Sequence, residues 1–213
     1  MIQIEVIDLR KFTKDKHKTA DDTPYGGGPG MLLKAEPIYD ALKEIKPLSQ
    51  SRIILTCPTG EPFSHKKAQD LSEAKEIIIL CGHYEGVDER IGQNLITDEI
   101  SIGDYVLTGG ELPALVILDA VCRFIPGVVK ESKSIERDSF FSGLLDYPSY
   151  TKPEELFGEK VPEVLLSGHH EMIDRYRRRE SLRKTLFKRP DLLPHATLKD
   201  EDRILFEEIV QNG

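Results

Sequence analysis

The run Ser101–Pro113 contains the residue types of a small-molecule site. It holds three glycines, an aspartate, a glutamate and a proline among apolar residues, and the apolar stretch Ala114–Phe124 follows it. Glycine is used where the backbone takes a positive φ or where a ligand approaches closely. The pattern therefore predicts a tightly turning loop with exposed N–H and C=O groups, which leads directly into a helix.

Two further stretches have the same placement after apolar, isoleucine-rich segments. They are Thr56–Gly60 and Cys81–Arg90, and the second is rich in acids. Ligands of parallel α/β sheets bind beyond the carboxyl ends of the strands, so we expect these three loops to converge on one cleft. An acidic lining would suit a cationic or hydroxyl-rich ligand. The alternative is that Glu85 and Asp104 are ordinary solvated loop acids.

The glycine cluster Gly26–Gly30 lacks the residues of the known phosphate-binding loops. No Gly-Lys-Ser/Thr ending follows it, and Met31 stands where a dinucleotide fingerprint has its third glycine. Asp21 and Asp22 would also disfavour a free phosphate. We therefore expect a turn that shapes a pocket rather than a backbone anion site. A nucleotide-hydrolysing enzyme is the weakest hypothesis for the function.

The histidines and cysteines form no metal-binding motif. None of the six histidines belongs to an HExxH pattern, and the three cysteines show no CxxC spacing, which argues against a zinc site and a disulfide framework. No Gly-x-Ser-x-Gly elbow indicates a hydrolase. Cys81 is either a nucleophile or, as is far more common in an isoleucine-rich strand, a small core residue. A reducing cytosol is the simplest setting for this cysteine usage.

Composition and charge indicate a globular protein with two basic regions. The 213 residues are 39% hydrophobic and 31% charged, which suits one α/β domain with a small additional unit. The net charge of −8 alone argues against a nucleic-acid partner. However, residues 170–190 hold eight Lys/Arg against three acids, and residues 10–18 hold five against one. Each patch could be a solvated face, but two patches on an acidic chain favour a polyanionic partner.

Neither a membrane-spanning segment nor a secretion signal is predicted from the sequence. The sequence has no run of about 18 apolar residues, so no transmembrane helix is expected. The first residues lack the basic flank and long apolar core of a signal peptide.

Hydrophobic periodicity predicts alternating strands and helices in the first part of the chain. The predicted strands are Ile2–Ile7, Arg52–Thr56, Glu76–Cys81 and, less clearly, Tyr105–Leu107. The predicted helices are Glu36–Lys46, Ser64–Ala74 and Leu112–Phe124, followed later by Glu171–Phe187 and Lys199–Gln211. This alternation predicts an α/β domain with a mainly parallel sheet.

The change of character near residue 129 predicts three regions. Residues 1–129 form the α/β domain, and residues 130–141 are polar without clear periodicity, as in a linker or mobile loop. Residues 142–213 contain turn-forming prolines followed by helical patterns, and are expected to form a small helical domain.

Several ordered motifs together resemble one protein family over nearly the whole chain. They are Asp21–Met31, Cys81–Arg90, Ser101–Pro113, Arg123–Gly127, Asp138–Phe140, Gly143–Leu145 and Val164–His169. In these residues the chain resembles the bacterial tRNA (guanine-N1)-methyltransferases, the TrmD family of the SPOUT superfamily. Members of that family normally begin with a further strand and helix ahead of the segment that aligns with Ile2.

The resemblance implies a fold, an assembly and a cellular location. The fold would be an α/β domain of SPOUT type, with a Rossmann-like parallel sheet and a deep trefoil knot, plus a small all-helical C-terminal domain. Family members are cytoplasmic homodimers whose active sites are shared between the subunits, with no membrane association. The apolar helix Leu112–Phe124 would suit a dimer interface, although a core helix would look the same.

The resemblance also implies S-adenosylmethionine as the methyl donor. The family's cofactor contacts fall on loops around residues 56–60, 82–90 and 101–113 of this chain. The residues carried over are Pro58, Gly82, Glu85, Ile102, Gly103, Asp104, Tyr105, Val106, Leu107, Gly109 and Gly110. A magnesium requirement is possible in such an enzyme, but no protein ligands for a metal are predicted.

The implied reaction is methylation of N1 of the guanosine immediately 3′ of the tRNA anticodon. N1 carries a proton at neutral pH, so the reaction needs that proton removed and the charge growing on O6 offset. Asp138 matches the family's general base, and Arg123 is the candidate donor to O6. The alternatives are that Asp138 caps a following helix and that Arg123 pairs with Glu85 or Asp119.

The helical region is expected to grip the anticodon arm. Ser167 and Gly168 precede a predicted helix, whose unpaired N–H groups would suit a phosphate. The predicted tRNA-binding residues are Ser139, Ser167, Gly168, His170, Arg175 and Arg183. His169 stands where the family often has asparagine. A second hypothesis is an RNA-binding protein of the same fold, catalytically impaired because the N-terminal strand and helix are missing.

Overall fold

The computed structural model describes residues 2–128 and 138–212. The chain divides into two compact units, Met1–Val128 and Val129–Gly213. Of the region predicted as a linker, 130–137 lie outside the described residues, and 138–141 belong to the second unit.

The first unit contains the expected alternation of strands and helices. Its strands are β1 (Asp21–Asp22), β2 (Leu32–Leu33), β3 (Arg52–Pro62), β4 (Ile77–Cys81) and β5 (Asp98–Ser101). Its helices are α1 (Ala35–Ile45), α2 (His65–Ser72), α3 (Glu89–Leu95) and α4 (Glu111–Cys122), and Leu9–Phe12 form a 3₁₀ turn. The α/β class and the parallel sheet predicted from the sequence are confirmed.

The sheet of the first unit has the strand order β4-β3-β5, and both pairings are parallel. Ile54 and Ile100 are fully buried against α2 and α4, whose contacting residues include Leu71 and Ile117. β-Branched isoleucine suits such a strand, which is covered by helices. All three strands run in one direction, so their carboxyl ends and the loops that follow lie along the same edge.

Strand β3 carries a bulge near the edge of the sheet where the carboxyl ends of the strands lie. Thr56 and Glu61 both pair with Ile100, so residues 57–60 are pushed out of the ladder. A Cβ on Gly60 would lie 2.5 Å from the backbone of Glu99 and of Ile100. Only glycine lets the chain return so close to β5 after the bulge.

The prediction of a strand at Ile2–Ile7 is wrong. These residues form no regular structure, and Ile4 and Val6 are 64% and 89% exposed. An alternating pattern becomes a strand only where another strand offers hydrogen-bond partners. In the part of the chain that the structure describes, no strand pairs with this segment.

The prediction of a strand at Tyr105–Leu107 is also wrong. The third strand is β5, and these residues belong to the loop after it. Gly103 has a φ of +154°, and the ring of Tyr105 folds back against it. The Tyr105 hydroxyl donates to the carbonyl of Ile102 at 3.2 Å, which closes the turn locally.

A buried charge network lies at the amino ends of the strands. The Asp98 carboxylate accepts hydrogen bonds from Arg52 Nε at 2.8 Å and Thr97 Oγ1 at 2.6 Å, and pairs with Lys67 Nζ at 2.9 Å. The Asp98 side chain is only 4% exposed. The hydrogen bonds from Arg52, Thr97 and Lys67 hold the pKa of Asp98 well below its usual range.

Asp98→Asn is expected to lower the free energy of unfolding at pH 7 by about 1–3 kcal/mol, because Arg52 and Lys67 lose their buried partner but keep Asp70 and Glu61. Folding lowers the pKa of Asp98, so its stabilisation is complete above the pKa of an unfolded aspartate, near 4, and declines as the pH falls below it. Urea unfolding of both proteins at several pH values should therefore show the difference shrinking below about pH 4. A difference that stays constant to lower pH would contradict this assignment.

The second unit is mainly helical. It contains β6 (Glu155–Leu156), β7 (Glu159–Lys160), α5 (Glu163–Leu166), α6 (His170–Lys188), the 3₁₀ turn Pro190–His195 and α7 (Asp202–Asn212). Its core joins Leu182 of α6 to Leu205 and Ile209 of α7, together with Leu144 from the preceding loop. The two long helices predicted from the sequence are thus present, with ends shifted by a few residues.

The second unit also holds a hairpin that the all-helical prediction missed. β6 and β7 pair in antiparallel fashion. The two residues between them, Phe157 and Gly158, have φ values of +56° and +79°. A two-residue turn with positive φ at both positions matches the twist of paired strands.

Among the described residues, no helix is both long enough and apolar enough to span a membrane.

Candidate active site

The three predicted ligand loops converge on one cavity of the first unit. The cavity has a volume of about 210 Å³ and lies at the carboxyl ends of the parallel strands. Ten of the eleven predicted cofactor residues line it: Pro58, Gly82, Glu85, Ile102, Gly103, Tyr105, Val106, Leu107, Gly109 and Gly110. Asp104 is the exception, because it lies in the same loop but is exposed and does not line the cavity.

Backbone contacts hold these loops together. Gly110 N donates to the carbonyl of Gly82 at 2.7 Å, and His83 forms a single β-bridge with Gly109. Thr56 Oγ1 lies 3.4 Å from the Gly110 carbonyl and 3.3 Å from that of Leu80. Thr56 of β3 and Gly82 after β4 are therefore both in contact with Gly110 at the start of α4. All three residues line the cavity.

Among these contacts, the loops approach one another most closely at Gly110. A Cβ there would lie 2.2 Å from Thr56 Oγ1 and 2.7 Å from both Cys81 Cα and Gly82 N. Two of these three atoms belong to the backbone, which cannot rotate away as a side chain does. Gly110 therefore permits a contact between loops that no larger residue would allow.

The last residue of the glycine cluster Gly26–Gly30 lies beside the cavity. Gly30 has a φ of +86°, and a Cβ on it would lie 2.3 Å from Glu85 Cγ. Glu85 N donates to the carbonyl of Met31 at 3.0 Å. The turn thus packs against Glu85 and fixes the backbone of this cavity-lining acid.

The sequence interpretation missed several cavity-lining residues. Thr56, His83 and Tyr84 all line the cavity. Tyr84 has a φ of +58°, which is unusual for a residue other than glycine. His83 Nδ1 accepts a hydrogen bond from Tyr84 N at 2.9 Å and supports this conformation. Their position between the predicted residues Gly82 and Glu85 is the signal that could have found two of them.

Neither metal nor thiol chemistry is evident in this region. No group of three or more His, Cys, Asp or Glu side chains forms a metal site within residues 2–128 or 138–212. Burial, with the nearby Glu111 carboxylate, raises the pKa of the Cys81 thiol. A thiol that is harder to ionise is a poor nucleophile, so Cys81 is a packing residue at the end of β4.

The candidate general base Asp138 lies in the second unit, in a turn that is fixed to α6. Leu144 is 2% exposed in the core of this unit, and Leu145 N donates to Thr185 Oγ1 at 2.9 Å. Phe140 N donates to the carbonyl of Leu144 at 2.7 Å, and Gly143 N to that of Phe140 at 3.1 Å. Turns rather than a helix follow Asp138, so it is not a helix cap.

Ser139 is held in the same turn. Its hydroxyl donates to Asp146 Oδ1 at 2.9 Å and accepts from Asp146 N at 2.9 Å. Lys184 Nζ of α6 pairs with the same carboxylate oxygen at 2.9 Å. The second candidate for the chemistry, Arg123, is an exposed residue of the first unit directly after α4.

Five of the six predicted tRNA-binding residues lie on α6 or directly before it, and the sixth, Ser139, lies in the turn around Asp138. Gly168 has a φ of +74°, and Ser167 Oγ accepts from His169 N at 3.2 Å. The predicted tRNA-binding residue His170 is the first residue of α6, and no side chain caps the N-terminus of this helix. The described structure therefore leaves the helix start available to an outside acceptor.

The arginines of α6 have different roles. Arg178 donates to the Asp202 carboxylate, whose side chain is 2% exposed, and so joins α6 to α7. Arg175 pairs with Glu208, and Arg183 Nε lies 3.2 Å from Glu180. Arg175 and Arg183 are both more than half exposed. The basic patch thus combines a structural arginine with exposed ones.

A parallel α/β sheet with a glycine-lined cavity at its carboxyl edge defines a class of enzyme domain that binds a small cofactor there. Within that class, the chain belongs to the TrmD family of tRNA (guanine-1)-methyltransferases, whose family model matches residues 1–195. It is an enzyme of that family.

Curated relatives agree with this assignment over almost the whole chain. A tRNA (guanine-N(1)-)-methyltransferase of Desulforamulus reducens is 51% identical over 212 residues, covering 98% of this chain and 84% of the relative. The protein of the same name from Dictyoglomus turgidum is 54% identical over 209 residues, with the same coverage. That of Staphylococcus aureus is 52% identical over 206 residues, covering 97% and 84%.

Proposed function

We propose that the protein transfers a methyl group from S-adenosylmethionine to N1 of the guanosine immediately 3′ of the anticodon in tRNA. The observation that carries this proposal is the convergence of ten of the eleven predicted cofactor residues on one cavity. The names of the relatives support the same reaction class. The second hypothesis, a catalytically impaired RNA-binding protein of the same fold, has no support from these comparisons.

The cavity suits the methyl donor in chemistry. Gly82, Gly109 and Gly110 leave backbone groups within reach of a ligand's hydrogen-bonding edges, and Glu85 supplies a carboxylate to a cationic ligand. S-adenosylmethionine carries a sulfonium, which makes its methyl group electrophilic without a metal. A magnesium requirement stays a prediction.

We also propose the deep trefoil knot and the homodimer of the family. In support of the knot, the bulge of β3 and the loops after β4 and β5 are packed together, and Gly110 is hydrogen-bonded to Gly82. In support of the dimer, α4 exposes Leu112, Leu115 and Val116 at 60%, 59% and 47%. An exposed apolar stripe on a helix commonly marks a protein–protein interface. The active site would be shared between the two subunits.

The proposed chemistry needs two side chains of this chain. Asp138 takes the proton from guanine N1, which turns a poor nucleophile into a good one. Arg123 donates hydrogen bonds to O6, where negative charge grows as the proton leaves. The fixed turn around Asp138 supports its role, because a base must be held within hydrogen-bond reach of its proton.

The second unit would bind the anticodon arm. The open start of α6 at His170, with Ser167 and Gly168 before it, offers N–H groups to a phosphate. Arg175 and Arg183 would supply counter-charge. Ser139 would act in the turn that carries Asp138.

The test is to incubate the full-length protein with methyl-labelled S-adenosylmethionine and an unmodified tRNA transcript. Label is expected at N1 of the guanosine 3′ of the anticodon, and nucleoside analysis of the digest would locate it. A transcript with adenosine at that position is the matched control and should accept no label. Cofactor binding without transfer to the first transcript would refute the proposed activity.

A further inference from the structure

A wide groove in the second unit has no role in the methyl transfer or the tRNA contacts proposed above. The segment 147–154, three apolar residues (Val161, Leu165 and Leu166) and Arg177 of α6 line a cavity of about 1010 Å³. None of the predicted tRNA-binding residues lines it. The groove is formed entirely by residues of the second unit, so its shape depends on that unit alone.

The groove offers aromatic faces. Tyr147 and Tyr150 both line it, and Tyr150 is 50% exposed. The guanidinium of Arg177 stacks over the Tyr147 ring, with 4.9 Å between its carbon and the ring centroid. Burial and a hydrogen bond with Tyr150 raise the pKa of Tyr176 to about 12. Tyr150 is therefore held by its hydroxyl while half of its side chain remains open to a ligand.

The groove also has an unsatisfied cationic donor. Within the described parts of the chain, Arg177 Nε is buried and has no hydrogen-bond partner. Its nearest carboxylate contact is Asp174 Oδ1, 3.8 Å from Nη1. A buried donor without an acceptor destabilises the folded protein, and a charged donor does so more strongly. The charged lining consists of Arg177, Lys152 and Glu154, with a net excess of positive charge.

We propose that this groove binds an unstacked nucleobase and its adjoining phosphate from the substrate RNA. The proposal rests on the proposed function, in which RNA is the substrate. Every nucleobase has a flat aromatic face that stacks on aromatic side chains such as tyrosine. The Arg177 side chain is 34% exposed, so its guanidinium can pair with a phosphate beside the base. Tyr150 holds the base and Arg177 orients the backbone beside it.

The first test uses tryptophan fluorescence, because the chain contains no tryptophan. Tyr150→Trp would place the only indole in the groove, and Val210→Trp would place it on the exposed side of α7, outside the groove. Both full-length variants are titrated with an unmodified anticodon stem-loop RNA. Stacking of a base is expected to quench the emission of the Tyr150→Trp protein and to leave that of the Val210→Trp protein largely unchanged.

The second test compares two replacements of Arg177. Arg177→Leu is expected to weaken RNA binding about tenfold, which is equivalent to 1.4 kcal/mol. Arg177→Lys keeps the charge but loses the planar donor. Its affinity for RNA should therefore lie between that of the unaltered protein and that of Arg177→Leu. Binding of S-adenosylmethionine should not change, since the cofactor cavity lies in the first unit. Thermal unfolding shows whether each variant is folded, and if Arg177→Leu is not, the fluorescence result decides.

The outcomes separate this proposal from the proposed function. If RNA binds and is methylated, but the Tyr150→Trp emission does not respond, the groove is not a base site and the enzyme assignment stands. Emission typical of a buried indole before RNA is added, with no later change, would mean that a second copy of the chain covers the groove, which also overturns the proposal. If the unaltered protein neither binds nor methylates RNA, the proposed function itself fails.

Discussion

Asp138→Ala is expected to slow methyl transfer to tRNA by a factor of roughly 10²–10⁴, the usual contribution of a general base. The carboxylate would no longer accept the N1 proton, and the neutral guanine would remain a poor nucleophile. The affinity for S-adenosylmethionine should stay the same, because the cavity predicted to bind it lies in the first unit. Single-turnover transfer with saturating RNA and cofactor measures this effect directly.

The control for this experiment comes from the same unit. Asp200 is an exposed aspartate outside the proposed site, and Asp200→Ala should transfer methyl groups at the normal rate. Asp138→Asn preserves the shape of the side chain but cannot take a proton, so it should be as slow as Asp138→Ala. Turnover of Asp138→Asn close to that of the unaltered protein would remove Asp138 as the base.

Measurements of stability separate a catalytic role of Asp138 from a structural role in the turn that carries it. The turn is held by Leu144 in the core and by the Ser139–Asp146–Lys184 contacts. Thermal unfolding and RNA binding of Asp138→Ala and Asp138→Asn therefore show whether the turn survives the substitution. A loss of activity accompanied by a loss of stability would instead indicate a structural role.

The sequence predicted the elements whose pattern and burial agree. The first half of β3, Arg52–Thr56, and the whole of β4 are isoleucine-rich runs, so their composition alone identifies them. The continuation of β3 to Pro62 was not predicted, because it is polar and largely exposed. β5 was missed because it is short and has the sequence Asp-Glu-Ile-Ser, in which one isoleucine stands among polar residues. Its strand structure comes from pairing with β3, and its buried Asp98 is stabilised by cations from β3 and α2.

The cofactor cavity was predictable for a different reason. Parallel strands place their carboxyl ends at one edge, so glycine-rich loops after those ends converge whatever their separation in sequence. The contacts between loops were not predictable. Nothing in the neighbourhood of Gly30 indicates that it packs against Glu85, and nothing near Thr56 indicates its contact with Gly110. Likewise, only the fold shows that Arg178 joins two helices through Asp202.

Gly110→Ala is expected to raise the dissociation constant for S-adenosylmethionine by more than about tenfold and to destabilise the protein by about 1–3 kcal/mol. The φ of Gly110 is −83°, so alanine meets no backbone strain and the effect is purely steric. The added methyl group would push α4 away from the backbone of Cys81 and Gly82. The hydrogen bond from Gly110 N to Gly82 O would lengthen, and the cavity would open at the point where the loops meet.

Gly109→Ala is the matched control, because the two glycines are adjacent and neither has a positive φ. A Cβ on Gly109 would meet the end of the Glu111 side chain at 2.3 Å, and that carboxylate can rotate away. Calorimetric titration with S-adenosylmethionine and thermal unfolding of both variants should therefore show a much larger effect at Gly110. Equal effects would mean that the loops tolerate separation at Gly110, and that the contact with Gly82 does not shape the cavity.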